Sequence, residues 1–214
     1  MESAIALVFQ LAILIFSVVI HEVSHGLAAN ALGDPTAKYA GRLTLNPLKH
    51  LDPVGSVLIP GVLAFLNLPI IGWAKPVPYN PNYLQVRNRE FGSALVGAAG
   101  PASNIAVAVA FGLLLRFAGA WAPYAAGSTE ALYQILATIV FVNLLLAVFN
   151  LVPIPPLDGS KVLFSILPPA GYGLRALLEQ FGFLFLLFFI FYFSGWIIPV
   201  VSFLFRAITG GIGP

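Results

Sequence analysis

Four stretches of the chain are apolar for long enough to cross a bilayer, which takes about 20 residues of helix. The first runs from about Ile5 to Leu32 and stops at Gly33-Asp34-Pro35, a glycine followed by a breaker. The second runs from about Phe91 to Phe117. The third runs from about Leu132 to Leu151, with the Pro153, Pro155 and Pro156 cluster behind it. The fourth, rich in phenylalanine, runs from about Phe181 to Phe205, and a shorter apolar stretch from Gly159 to Leu167 predicts a partial helix. Val54 to Ile71 is also apolar, but Pro60-Gly61 at its centre and Pro69 near its end interrupt it. Ahead of it, Lys38 to Lys49 alternates like a strand and carries turn residues. No internal repeat or soluble module stands out, so residues 1–214 read as one membrane domain with short loops.

Composition agrees. Of 214 residues, 59% are hydrophobic and only 8% charged, with a mean hydropathy of +0.95. A soluble domain carries about 25% charged residues, so the polar surface here is too small to coat a water-soluble globule. The expected class is an all-α membrane protein, a polytopic helical bundle of about 4–6 membrane segments. Residues 36–72 would add a small re-entrant strand or broken-helix element. Met1-Glu2-Ser3 offers no positive leader before the first apolar run, which therefore reads as a permanent membrane helix. The formal net charge of +2 is scattered without a basic stripe, which excludes nucleic acid as a partner. Cysteine is absent, so disulfides, thiolate nucleophiles and Cys-ligated zinc are excluded together.

Within the first apolar run stands His21-Glu22-Val23-Ser24-His25. Residues four apart share a helix face, so the two imidazoles can meet one metal ion. Glu22 is rotated about 100° from His21, beside that face, where it can act as a base toward a water at the metal. At about 1.5 Å per residue, His21 lies about 24 Å from Ile5, still inside a hydrocarbon core of about 30 Å. A carboxylate at that depth costs at least about 2.5 kcal/mol. A dication is the simplest compensating partner; interhelical hydrogen bonds are the plainer alternative.

A catalytic zinc needs a third protein ligand. Apart from Glu22, the acids are Glu2, Asp34, Asp52, Glu90, Glu130, Asp158 and Glu179. Asp158 stands out because it follows a membrane helix and three prolines that break the backbone, a setting that suggests a cavity-lining role. It also suits a helix N-cap before Gly159-Ser160-Lys161. His50 and Asp52 are rival donors.

The helix-borne His21-to-His25 motif, Gly100-Pro101-Ala102-Ser103-Asn104, and Asn150 through Gly159 together resemble the site-2 protease family of intramembrane metalloproteases. Leu45-Asn46-Pro47, Asp52-Pro53-Val54-Gly55 and Ala74-Lys75-Pro76-Val77-Pro78 resemble its compact prokaryotic branch, without PDZ or CBS domains. The resemblance spans about Val19 to Lys161, in the expected order. It implies one zinc ion per chain on His21, His25 and Asp158, with Glu22 as catalytic acid/base. It implies that Asn104 helps hold substrate or the oxyanion; without it, an interhelical hydrogen bond explains Asn104 equally well. The implied substrates are single-span membrane proteins cut in or near their membrane segments, as in regulated intramembrane proteolysis. A zinc or proton transporter would use similar groups, but such folds favour repeats, and none is visible. A catalytically silent scaffold is opposed by the intact His/Glu/His/Asp set.

Topology supplies an independent expectation. If Val54–Ile71 crosses the bilayer, Asp158 ends opposite Gly33. If it re-enters, loops 33–53 and 73–90 and the Asp158 loop share one face. The second arrangement brings the ligands together. It also gathers Lys38, Arg42, Lys49, Lys75, Arg87, Arg89, Lys161 and Arg175, leaving Arg116 and Arg206 near the other side. That face is then cytoplasmic, in a plasma or inner membrane. An edge strand within 36–72 would pair with an unwound substrate, and Gly26 and Ala29 would leave room beside Glu22, unless they serve tight packing.

Overall fold

The computed structural model describes residues 2–59, 62, 65, 74–118 and 129–211, and every regular element among them is helical. In chain order these are α1 (Glu2–Ala31), α2 (Thr36–Tyr39), α3 (Arg89–Arg116), α4 (Thr129–Asn150), α5 (Gly159–Ile166), α6 (Tyr172–Tyr192) and α7 (Ile197–Thr209). Among the described residues, four segments are long and apolar enough to cross a bilayer: Ile5–Ala31, Arg89–Arg116, Glu130–Asn150 and Pro169–Tyr192. The chain is a multi-pass membrane protein. Leu7, Val8, Phe16, Phe183 and Phe188 face outward, as lipid-facing side chains do, while His21, His25, Asn104 and Asn143 are buried. Apolar residues outside and polar residues inside are what a bundle in lipid requires.

Local chemistry sets the helix ends. Asn88 caps α3 by accepting from the N–H groups of Glu90 (2.9 Å) and Phe91 (3.2 Å). The fourth apolar stretch differs from expectation. It is two helices, α6 starting at Tyr172 and α7 starting at Ile197, separated by a turn at Ser194–Trp196. Apolarity runs straight through this turn, so hydropathy does not reveal it. Upstream, Arg175 and Glu179 pair across one helical turn at 2.8 Å and carry α6 beyond the phenylalanine run.

Over residues 36–59, the 36–72 element takes the broken-helix form. It comprises α2, a 3₁₀ turn at Pro47–Lys49 and a π-helical turn at Pro53–Leu58. Asn46 caps the second by accepting from Leu48 N–H at 3.0 Å, and Asp52 caps the third by accepting from Val54 and Gly55 N–H at 2.9 and 2.7 Å. These side chains turn the backbone where alternation alone predicts a strand, and no strand occurs among the described residues. Pro60-Gly61 and Pro69, the expected bottom of the dip, lie outside the described residues.

Helix pairing nonetheless fixes the parity. His25 meets Val96 of α3, while His21 and Ser17 meet Asn104, so α1 and α3 are antiparallel. The intervening chain therefore leaves and returns on one face, where Gln85 N–H donates to Leu32 C=O at 2.7 Å. Asn143 of α4 meets Asn104, and the chain after α4 comes back to His21 and His25 through Asp158. On the same face Arg175 pairs with Glu90 at 2.8 Å. The apolar core lies toward the other end, where Ala108, Leu115, Val140, Leu144, Val201 and Phe205 of α3, α4 and α7 pack together.

Asp34, read from sequence as part of a breaker and as one of the acids, ties α1 to the returning chain. It is fully buried. Its carboxylate accepts from the Thr36 hydroxyl (2.5 Å), Thr36 N–H (3.0 Å) and Asn80 N–H (2.6 Å). Burial opposes its ionisation, but these three donors outweigh burial and hold the carboxyl below the usual range. The folded-state pKa is depressed, so the stabilisation is fully present above about pH 4 and is lost as pH falls through the folded-state value. Asp34→Ala is expected to lower unfolding stability in detergent by about 2–3 kcal/mol at neutral pH, since buried N–H groups lose their acceptor. The gap between wild type and Asp34→Asn should narrow as the pH drops below about 4; a gap constant with pH would contradict this assignment.

Candidate metal centre

His21 and His25 stand one turn apart on α1 with ring centroids 4.6 Å from each other and ring planes nearly perpendicular. Each ring is fixed from behind. His21 Nδ1 lies 2.6 Å from Asn104 Oδ1, and His25 Nδ1 lies 2.6 Å from the Val96 carbonyl. Both oxygens only accept, so both Nδ1 atoms carry the proton and donate. That assigns the tautomer and leaves each Nε2 with a lone pair pointing the other way.

The two Nε2 atoms converge on one oxygen. Asp158 Oδ2 lies 3.1 Å from His21 Nε2 and 3.0 Å from His25 Nε2. All three residues are buried, with exposures of 6%, 8% and 7%. Asp158 directly precedes α5, the place of an N-cap, yet its side chain makes no capping bond. The capping alternative therefore fails; the carboxylate faces the histidines. The loop behind it doubles back tightly enough that a Cβ on Gly159 would stand 2.2 Å from the Leu151 carbonyl oxygen. Only glycine fits there.

Three electron-pair donors within 4.8 Å of one another, all buried, form the one such group among the described residues. With both rings neutral and their protons spent on Asn104 and Val96, two lone pairs and an anionic oxygen face one another with no proton between them. A cation between them resolves this, and two His with one carboxylate suit zinc. A wall of α3 leaves the space: a Cβ on Gly100 would lie 2.4 Å from His25 Nε2 and 2.6 Å from His21 Nε2. The residues present fit a zinc ion.

Other sequence candidates fall as follows. Glu22, half-buried beside the two histidines, accepts from Val77 N–H at 2.8 Å through Oε2. Val77 belongs to an irregular strap at residues 74–80. Lys75 N–H donates to His50 C=O (2.9 Å), Arg42 donates to Lys75 C=O (2.5 Å), and Asn80 N–H donates to Asp34. Gly26 is covered by this layer, since a Cβ there would meet Leu43 and Val77 at 2.6 and 2.9 Å, and Ala29 is fully buried. Tight packing explains both. His50 Nε2 donates to the Thr44 carbonyl at 2.9 Å, its Nδ1 is buried without a hydrogen-bond partner among the described residues, and Asp52 caps its turn; neither residue joins the metal group.

Asn104 is fully buried behind His21. Beyond accepting from that ring, its amide donates to Asn143 Oδ1 (2.8 Å) and to the Ser17 carbonyl (3.2 Å). Asn143 in turn donates to Ser17 Oγ (2.9 Å) and the Ile139 carbonyl (2.8 Å). This knot joins α1, α3 and α4. Sequence reasoning missed Asn143 and Ser17, although an asparagine within the leucine-rich third span is a signal in itself.

Residues 124–190 match the sequence profile of peptidase family M50. The chain is 38% identical over 172 residues to "Putative zinc metalloprotease YwhC" of Bacillus subtilis, covering 80% of this chain and 74% of that protein. It is 32% identical over 191 residues to Rip2 of Mycobacterium tuberculosis, which carries the same description, covering 88% of this chain and 70% of the relative. Against Rip2 of Mycolicibacterium smegmatis it is 33% identical over 172 residues, covering 79% and 61%. No solved structure matches.

Proposed function

The chain belongs to peptidase family M50 and is a zinc metallopeptidase, and from that premise we propose that it cuts single-span membrane proteins in or near their membrane segments. The observation that carries this reading is the convergence of His21 Nε2, His25 Nε2 and Asp158 Oδ2 inside a helix bundle built for lipid.

His21, His25 and Asp158 would hold zinc, which when bound polarises a carbonyl and lowers the pKa of water toward about 7. Glu22 takes the proton of the attacking water and returns it to the leaving amine. One of its oxygens is held by Val77 N–H, which fixes the carboxylate beside the histidine face. Asn104 acts through His21: its hydrogen bonds all lie within the bundle, which favours a positioning role over contact with the oxyanion. Residues 1–214 act as one peptidase unit, because the ligands come from both α1 and the loop after α4. The face carrying Lys38, Lys49, Lys75, Arg87 and Arg89 is cytoplasmic by the positive-inside rule, in a plasma or inner membrane. A helical substrate bond is shielded by its own hydrogen bonds, so the substrate must unwind before attack.

The test is metal removal. Purified in detergent with a single-span protein, the enzyme should yield a shortened product and contain one zinc per chain. A chelator should stop cleavage, and added zinc should restore it. Cleavage indifferent to chelation would sink the reading, as would a preparation that never holds zinc.

A further inference from the structure

Asp158 has a second oxygen that the metal reading does not use. Lys161 Nζ lies 3.0 Å from Oδ1 while Oδ2 faces the two histidines. The lysine is not free to wander. A Cβ on Gly97 of α3 would stand 2.9 Å from its Cδ and 3.1 Å from its Cβ, so the stem lies flush against a bare stretch of helix. On another side the ammonium sits 5.5 Å from the centre of the Tyr79 ring, within cation–π range. Helix α3, the strap and α5 thus each contribute to placing one positive charge, and the side chain remains about one-third exposed.

We propose that Lys161 is a positioning residue that restricts Asp158 to a single ligating oxygen. This rests on the assignment of His21, His25 and Asp158 as the metal ligands. A carboxylate with both oxygens free can chelate one ion through both. With Oδ1 held by an ammonium it offers Oδ2 alone, and three donor atoms leave a coordination position free for chemistry. Such outer partners are as consequential as the ligands they orient. The charge has a second effect. It offsets the carboxylate's negative charge, so the ligand set binds the metal less tightly than it would without the lysine, and keeps it more electrophilic.

Lys161→Met keeps the stem and removes the donor. The full chain in detergent, loaded with cobalt(II), reports coordination number through its visible absorption, which is most intense for four-coordinate ions and weaker for five-coordinate ones. Wild type is expected to give the intense band. Lys161→Met should bind one cobalt per chain at least as tightly, show a weaker visible band than wild type, and lose about 10- to 100-fold in peptide cleavage. Gly97→Ala, whose added methyl displaces the lysine stem, should shift the band in the same direction, and serves if Lys161→Met does not accumulate. A band unchanged in the variant overturns the proposal. So does a folded variant that loses its metal, because the lysine would then be holding the site together rather than limiting the carboxylate. Failure of wild type itself to bind cobalt, or retention of cobalt by Asp158→Ala, instead overturns the ligand assignment beneath it.

Discussion

Glu22→Gln is expected to reduce cleavage of a co-expressed single-span protein by about 10²–10⁴-fold, the usual contribution of a positioned acid/base, while zinc stays at one per chain. The substitution is unusually clean here. The Gln side-chain carbonyl can still accept from Val77 N–H, the bond that Glu22 Oε2 makes at 2.8 Å. The strap is therefore expected to stay docked, and the three metal ligands are untouched. What disappears is a group able to take a proton. The same variant separates the competing functions. A zinc or proton pathway has no need of this carboxylate as a base toward peptide, and a silent scaffold would keep its cellular effect. Immunoblotting for the shortened product, with elemental analysis of the purified variant, decides the matter; a variant that cleaves at the wild-type rate removes Glu22 from the mechanism.

The second large effect is expected at a residue with no functional group. Gly100→Ala would place a methyl carbon 2.4 Å from His25 Nε2 and 2.6 Å from His21 Nε2, far inside contact distance. Neither ring can retreat, because each is fixed behind by its Nδ1 hydrogen bond, to Val96 and to Asn104. The helix carrying Gly100 cannot shift freely either, since Asn104 one turn on is bonded to both α1 and α4. Zinc affinity should fall by at least about 100-fold, the upper end of what outer-shell changes cost. The fold should lose only the roughly 1–3 kcal/mol typical of overpacking. Titration with a competing chelator would show this, and an alanine variant with wild-type affinity would mean that the metal lies elsewhere.

Much of the site was legible in the sequence because its chemistry is expensive in lipid. The pair His21 and His25 share a helix face by spacing alone, and Glu22 beside them at membrane depth demands a partner. Asp158 was harder. Its neighbourhood of prolines suggested a cavity, but the choice between ligand and helix cap depended on the direction of its side chain, which only three dimensions supply. Ser17 and Asn143 were missed because each looks like an isolated polar residue in an apolar run; their importance lies in meeting Asn104 across three helices. The fold was legible where hydropathy has edges and illegible where it has none. The break at Ser194–Trp196 lies between two equally greasy helices. From Lys38 to Lys49 the alternation resembled a strand, but the Asn46 side chain captured a local N–H group, and Asp52 did the same in the helical turn that follows.

His21 and Asp158 touch across 137 positions of sequence. Chains enter the membrane from the N-terminus onward, so the imidazole pair is inserted early and waits through two further spans for its carboxylate. Throughout that interval a nascent copy carries two of the three ligands and lacks the carboxylate. The ligand set is therefore complete only once the loop after α4 folds back onto the helix made first.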